Sequence, residues 1–251
     1  MMALTQTNII RETRRRLTWI TPRSATDAFA RAASLGAVGV LIGAFALPGA
    51  TPVTIAMAIA VYTLAAALTG WFVQRRYPHR RLGLCNHVTL VRLVLVCALI
   101  APLLAGSGPS WAFLGVALLA LCLDGVDGWL ARRQDLVSNF GARFDVEVDS
   151  LLALVLAVNA ALNPQIGPAA LVLGLPRYAF VAAGLVLPWM NVTLPDRFSR
   201  KVVCVLQLAA LIALQAPNLP PGVAVVLAPV VAILLIWSFA VDIIWLWRSR
   251  A

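Results

Sequence analysis

The chain has 251 residues, of which 61% are hydrophobic and 12% charged, and its formal net charge is +10. Soluble domains are about 45–50% apolar and about 25% charged, so this composition, with a mean hydropathy of +0.90, excludes an ordinary soluble domain and points to a polytopic membrane protein. Cys85, Cys97, Cys122 and Cys204 form no CxxC pair and predict no disulfide, and His79 and His87 lack metal-ligand spacing.

Residues 1–31 place Arg11, Arg14, Arg15 and Arg16 among Leu17, Trp19 and Ile20, which predicts a segment lying on the cytoplasmic membrane surface. Its basic lead is longer than that of a cleaved signal peptide. Within it, residues 24–31 (SATDAFAR) read as a short helix with Ser24 as N-cap. Apolar stretches near the roughly 20 residues that cross a bilayer then fall at 32–47, 51–73, 89–105, 111–132, 141–163, 167–187, 199–215 and 223–247. The expected fold is all-α, with about eight transmembrane helices. Gly36, Gly39 and Gly43 give the first of them a small-residue face, suited to close packing within the chain or to a homodimer contact.

Basic residues alternate between connections. They occur at 75–81, 132–133, 197–201 and 248–250, whereas 48–50, 106–110, 164–166 and 216–222 carry no charge. This positive-inside pattern predicts a multi-pass protein of the cytoplasmic membrane with both termini cytoplasmic. The net charge then reads as topology and attraction to anionic membrane lipids; being dispersed among short loops, it predicts no nucleic-acid partner. Trp71, Trp111, Trp189, Trp245 and Trp247 lie near the proposed helix ends, as interfacial anchors do.

Six of the ten acidic residues fall within 124–149: Asp124, Asp127, Asp135, Asp145, Glu147 and Asp149. If both arms of that stretch are helical, Asp124 and Asp127 share a face through i, i+3 spacing, and Asp145 and Asp149 through i, i+4. Four carboxylates then converge from two adjacent helices. Ionised carboxylates at a bilayer are costly and repel one another, so cations or protons must neutralise them. Hard oxygen ligands suit Mg²⁺ or Mn²⁺, with positions left open for substrate phosphates. A membrane ion or proton transporter using the same Asp/Arg cluster is the alternative.

Written out, the spacing is D-x2-D-G-x2-A-R-x8-G-x3-D-x3-D, filled by Asp124, Asp127, Gly128, Ala131, Arg132, Gly141, Asp145 and Asp149. It resembles the signature of the CDP-alcohol phosphatidyltransferases at all eight positions. The resemblance covers about residues 82–247 and implies a six-helix catalytic domain, 82–251, behind a two-helix extension, 32–81. It implies an integral-membrane transferase of phospholipid biosynthesis that moves a phosphatidyl group from CDP-diacylglycerol to the hydroxyl of a small polar alcohol, phosphorylated or not, and releases CMP. On the same resemblance Asp124, Asp127, Asp145 and Asp149 hold two Mg²⁺ or Mn²⁺ ions, and Asp149 is the general base. Gly128, Ala131 and Gly141 make room for the cytidine nucleotide, and Arg132 lies near its phosphates.

Three further elements carry two readings each. Asn86, Thr89 and Arg92 form N-x2-T-x2-R, similar to an element that precedes the motif in this family; the other reading is a helix cap with Arg92 snorkelling. Lys201 and Gln207 resemble part of K-x-K-T-x2-Q, with Val203 and Cys204 in place of its second Lys and its Thr. Lys201 is thus a phosphate ligand or a positive-inside marker. Arg177 stands midway along 167–187 beside Pro176. An arginine there needs a polar cavity or a partner, and the proline permits a kink. It is expected to line the site, facing an acceptor phosphate, with an ion pair to Glu147 or a motif Asp as the other reading.

Overall fold

The structure is a computed structural model and describes residues 23–79, 81–134, 138–192, 194–195 and 197–249. Among these it is all-α. The helices are α1 Arg23–Ala46, α2 Pro52–Arg76, α3 Leu84–Ala98, α4 Ile100–Leu104, α5 Trp111–Arg133, α6 Asn139–Leu162, α7 Leu171–Gly174, α8 Pro176–Val186, α9 Phe198–Ala213 and α10 Pro221–Arg248. Local chemistry sets several of the starts. Thr51 and Thr54 form a reciprocal capping box ahead of Pro52, Ser110 accepts from the Phe113 amide, and Ser138 accepts from the Gly141 amide, each satisfying donors that a helix start leaves unpaired.

Among the described residues five helical stretches are long and apolar enough to cross a membrane, and a sixth if the bent pair 168–174 and 176–186 counts as one span. This supports the polytopic fold and departs from the expected count of eight. The two stretches that fall short are α6, which carries Asp145, Glu147 and Asp149, and α9, which has 16 residues. The break before α8 turns the chain by 60°. Pro176 has no amide hydrogen and cannot continue the helical ladder, and Gln207 on α9 donates to the Leu173 carbonyl beside the break.

Helix α1 runs unbroken through residues 24–31 into the first span, and Phe29 is buried against α2 at Gly70. The surface segment expected further upstream, residues 1–22, lies outside the described residues. The small-residue face of α1 is filled from within the chain. A Cβ on Gly36 would lie 2.0 Å from the Tyr62 hydroxyl oxygen, one on Gly39 3.0 Å from Val94, and one on Gly43 3.1 Å from Ala98. Tyr62 donates to the Ala33 carbonyl at 2.8 Å. Close packing is therefore the outcome, and the homodimer reading of this face loses its basis. At the opposite end of the pair, Gly49 has φ of 78° and no room for a side chain, since its Cβ would meet Ser107 Oγ at 2.0 Å. That serine donates to the Pro48 carbonyl and ties two uncharged turns together.

The central element is α3, which packs on α1, α2, α5 and α6, while α6 also packs on α7 and α9, and α9 on α10. The outer faces of α1, α2 and α10 leave Leu35, Phe45, Leu64, Val225 and Ile233 exposed, as surfaces solvated by hydrocarbon require.

Candidate active site

Helix α3 places Asn86, Thr89 and Arg92 on one face by their i, i+3, i+6 spacing. Arg92 is fully buried. Its Nε donates to the Ala120 carbonyl at 3.1 Å, and its two terminal nitrogens reach all four motif carboxylates. Nη1 lies 2.9 Å from Asp124 and 3.1 Å from Asp127 and also contacts Asp145, while Nη2 contacts Asp149. The Thr89 hydroxyl lies 3.0 Å from both Asp127 Oδ2 and the Cys85 carbonyl.

The convergence read from the sequence is present, with a different scaffold. The two motif arms, α5 and α6, pack on α3 and little on each other, so the helix between them supplies the common point. Arg92 does not snorkel. A guanidinium sunk in apolar helices is stable only when anions surround it, and here there are four. Nor does Asn86 or Thr89 cap α3: Gly83 stands at the N-cap without a side-chain bond, and the Leu84 amide donates instead to Gln134 Oε1 at 3.1 Å.

Asp127 is buried, whereas the side chains of Asp124, Asp145 and Asp149 are about a third exposed. The cluster therefore opens to one side. Gly128 lies one turn beyond Asp124 and is half-buried. Gly141 sits in the first turn of α6, where an added Cβ would be 3.2 Å from Ser138 Oγ and 3.3 Å from Asn86 Oδ1. The side chains of Ala131 and Arg132 lie outside the described residues.

Two expected ligands have other near neighbours among the described residues. Arg177 pairs with Glu147 at 2.7 Å, both side chains being substantially exposed. It stands at the first turn of α8, just past the break, and of the two readings the ion pair is the one observed. Lys201 is exposed on α9 at an apolar groove of Phe198, Val202, Val205 and Leu206.

The sequence reading passed over two groups. Asp242 in α10 is buried and lies 3.3 Å from Arg197 and 3.5 Å from Arg200; a lone Asp in an apolar helix was the available signal. Tyr77, just past α2, accepts from the Asn86 amide nitrogen at 3.1 Å. Burial raises its phenol above the ordinary value, so it stays protonated and able to donate.

Asp124, Asp127 and Asp145 each offer an oxygen, all within 4.8 Å of one another. Among the described residues four carboxylates face one guanidinium, and hard oxygens in excess over their counter-charge are a donor set for divalent cations. The residues present fit Mg²⁺ or Mn²⁺.

An all-α bundle of apolar helices that carries a carboxylate cluster on a helical D-x2-D-G frame fits an integral-membrane phosphotransfer protein. The family model for CDP-alcohol phosphatidyltransferase matches residues 82–243, more than half of the chain, and the chain belongs to that family. Comparison with curated proteins and with solved structures found no match. Membership makes the protein a membrane transferase of phospholipid biosynthesis that acts on a CDP-alcohol donor and an alcohol acceptor in a family that uses divalent metal, and it leaves the transporter reading without support.

Proposed function

We propose that the chain transfers the phosphatidyl group of CDP-diacylglycerol to the hydroxyl of a small polar alcohol, with release of CMP. The observation that carries this reading is the meeting of Asp124, Asp127, Asp145 and Asp149 at one point inside the family-matched stretch. Divalent ions held by these four carboxylates would neutralise the diphosphate and stabilise the attacking and leaving oxygens. Asp149 takes the proton of the acceptor hydroxyl, for which it must lie within about 2.6–3.2 Å of that oxygen or one water away. The acceptor oxygen then forms a bond to the lipid-bearing phosphorus as the bond from that phosphorus to the CMP oxygen breaks. Gly128 and Gly141, without side chains, leave the nucleotide room beside the cluster, and Arg132 serves its phosphates.

The test is incubation of the purified protein with CDP-diacylglycerol, Mn²⁺ and a panel of alcohols, reading CMP and lipid mass. Metal-dependent CMP release with a new phospholipid of matching mass is expected; CDP-diacylglycerol left intact with every acceptor overturns the reading.

The site is assigned to the cytoplasmic face, where the positive-inside pattern puts the basic connections. Ser138 caps α6, so the exposed neighbour Asn139 is the better probe. Asn139→Cys in a background without native cysteines should be labelled only after permeabilisation, and labelling from outside intact cells reverses the orientation.

A further inference from the structure

The family-matched stretch begins at residue 82, yet the side chain that orients one of its buried polar groups comes from before it. Tyr77 follows α2, and its ring is held by Phe140 and His79 with centroids 5.5 Å away in each case. Its hydroxyl donates to the Arg81 carbonyl at 3.1 Å, accepts from the Gly83 amide at 3.3 Å and accepts from Asn86 Nδ2 at 3.1 Å.

A phenol has one proton and two acceptor positions, and all three are used. With the proton committed to a carbonyl, Asn86 can present only its NH₂ to this oxygen. The amide is thereby fixed in one of its two orientations, which are chemically opposite. Asn86 is buried, and its Oδ1 points to Gly141, 3.3 Å from where a Cβ on that glycine would stand. An acceptor with a fixed direction thus stands close against the bare Cα of Gly141, where a side chain would crowd both it and Ser138 Oγ.

We propose that Tyr77 is a positioning residue: it locks the Asn86 amide so that Oδ1 faces the nucleotide space over Gly141 and accepts a hydrogen bond from a donor group of cytidine. The inference rests on the proposed placement of the nucleotide beside Gly141. Two groups of cytidine have the required chemistry, the 4-amino group and the 2′-hydroxyl. UMP replaces the amino group by an oxygen acceptor, which would face Oδ1 acceptor to acceptor, and dCMP lacks the hydroxyl. The two-helix extension would then contribute to donor recognition as well as to packing on α3.

The test measures binding of CMP, UMP and dCMP to the full-length protein in Mn²⁺ by titration calorimetry, which needs no acceptor and no turnover. Tyr77→Phe keeps the ring on Phe140 and removes the hydroxyl. It should weaken CMP binding by about fivefold, the scale of one hydrogen bond, while leaving the analogue that lacks the partner group unchanged. The loss should vanish in an Asn86→Ala background, because coupled residues are non-additive. A purely structural role would lower affinity for all three nucleotides alike and would add to the Asn86→Ala effect. Should Tyr77→Phe fail to fold, Asn86→Ala alone must lose the same discrimination. Equal nucleotide affinities for wild type and Tyr77→Phe overturn this inference and leave the proposed function standing. CMP discrimination without lipid product overturns the proposed function and leaves the lock. No nucleotide binding by the wild type overturns both.

Discussion

Two ionic clusters sit within the described bundle, and their charge balances are opposite. At the first, Arg92 stands alone against Asp124, Asp127, Asp145 and Asp149. At the second, Asp242 stands alone between Arg197 and Arg200, with Arg197 also donating to the Ser238 carbonyl and hydroxyl and Arg200 to the Pro195 carbonyl. The second cluster is a tie: its buried carboxylate is paired twice and it fastens α9 to α10, with one cation in excess and Arg197 Nε buried without a hydrogen-bond partner among the described residues. The first is left with an excess of negative charge, which further cations or protons must neutralise. The sign and size of the charge excess, more than burial or the presence of arginine, separate a site that takes up cations from a tie that holds two helices.

The sharpest way to break that contrast is to remove one carboxylate from each cluster. Asp145→Asn should lower CMP release on the order of 10²–10³-fold, as loss of an electrostatic contributor to a transition state does, in a protein that still folds because the other carboxylates still pair with Arg92. Asp242→Asn should leave turnover of the folded enzyme within about threefold and cost about 1–3 kcal/mol of stability, the scale of a charged hydrogen bond lost from burial. Rate assays on both variants, with melting curves in detergent, check this. Similar activity losses at the two positions would dissolve the distinction.

A second, smaller contrast concerns the lone cation. Arg92→Met leaves the four carboxylates without the guanidinium that pairs them among the described residues, and breaking a buried pair costs about 3–5 kcal/mol. Because ligands that bind only the folded state stabilise it by mass action, Mn²⁺ should raise the melting temperature of Arg92→Met more than that of wild type. If chelator and Mn²⁺ affect both proteins equally, Arg92 is not balancing the metal ligands.

How much of this was legible in the sequence depends on whether spacing or tertiary contact carries the information. The motif arms were legible because i, i+3 and i, i+4 periods put each pair of aspartates on one face before any fold is known. The bend before Arg177 was legible from Pro176. Arg92 as hub was not, because its role depends on α3 lying between the two arms, and nothing local in N-x2-T-x2-R distinguishes an inward arginine from a snorkelling one. Asp242 was not, because a single acid in an apolar run has no spacing partner; its partners lie about 40 residues back on another helix. The glycine face of α1 was visible as a packing surface, but whether it meets Val94 and Ala98 or a second copy is decided only by the third helix's position.

Arg177 sharpens the comparison with the smallest expected effect. An arginine midway along an apolar stretch was expected to face the site and an acceptor phosphate; instead it sits past the 60° break, 2.7 Å from Glu147. Arg177, like Arg197 and Arg200, is engaged by a carboxylate of the chain itself. The Arg177 pair is exposed enough to be screened, so it contributes at most about 1 kcal/mol. One feature favours a further role: Arg177 Nε is buried with no partner among the described residues. Weighing a satisfied, screened ion pair against one unpaired donor, Arg177→Gln should change the acceptor KM by less than about threefold, since an exposed pair of this kind is worth less than one decade in any equilibrium. The measurement is CMP release as a function of acceptor concentration at saturating donor. A rise of about tenfold in the acceptor KM, with the KM for CDP-diacylglycerol unmoved, would show that the guanidinium leaves Glu147 for an anion on the acceptor. It would also move Arg177 from the kind of ion pair that ties helices together to the kind that takes up a ligand.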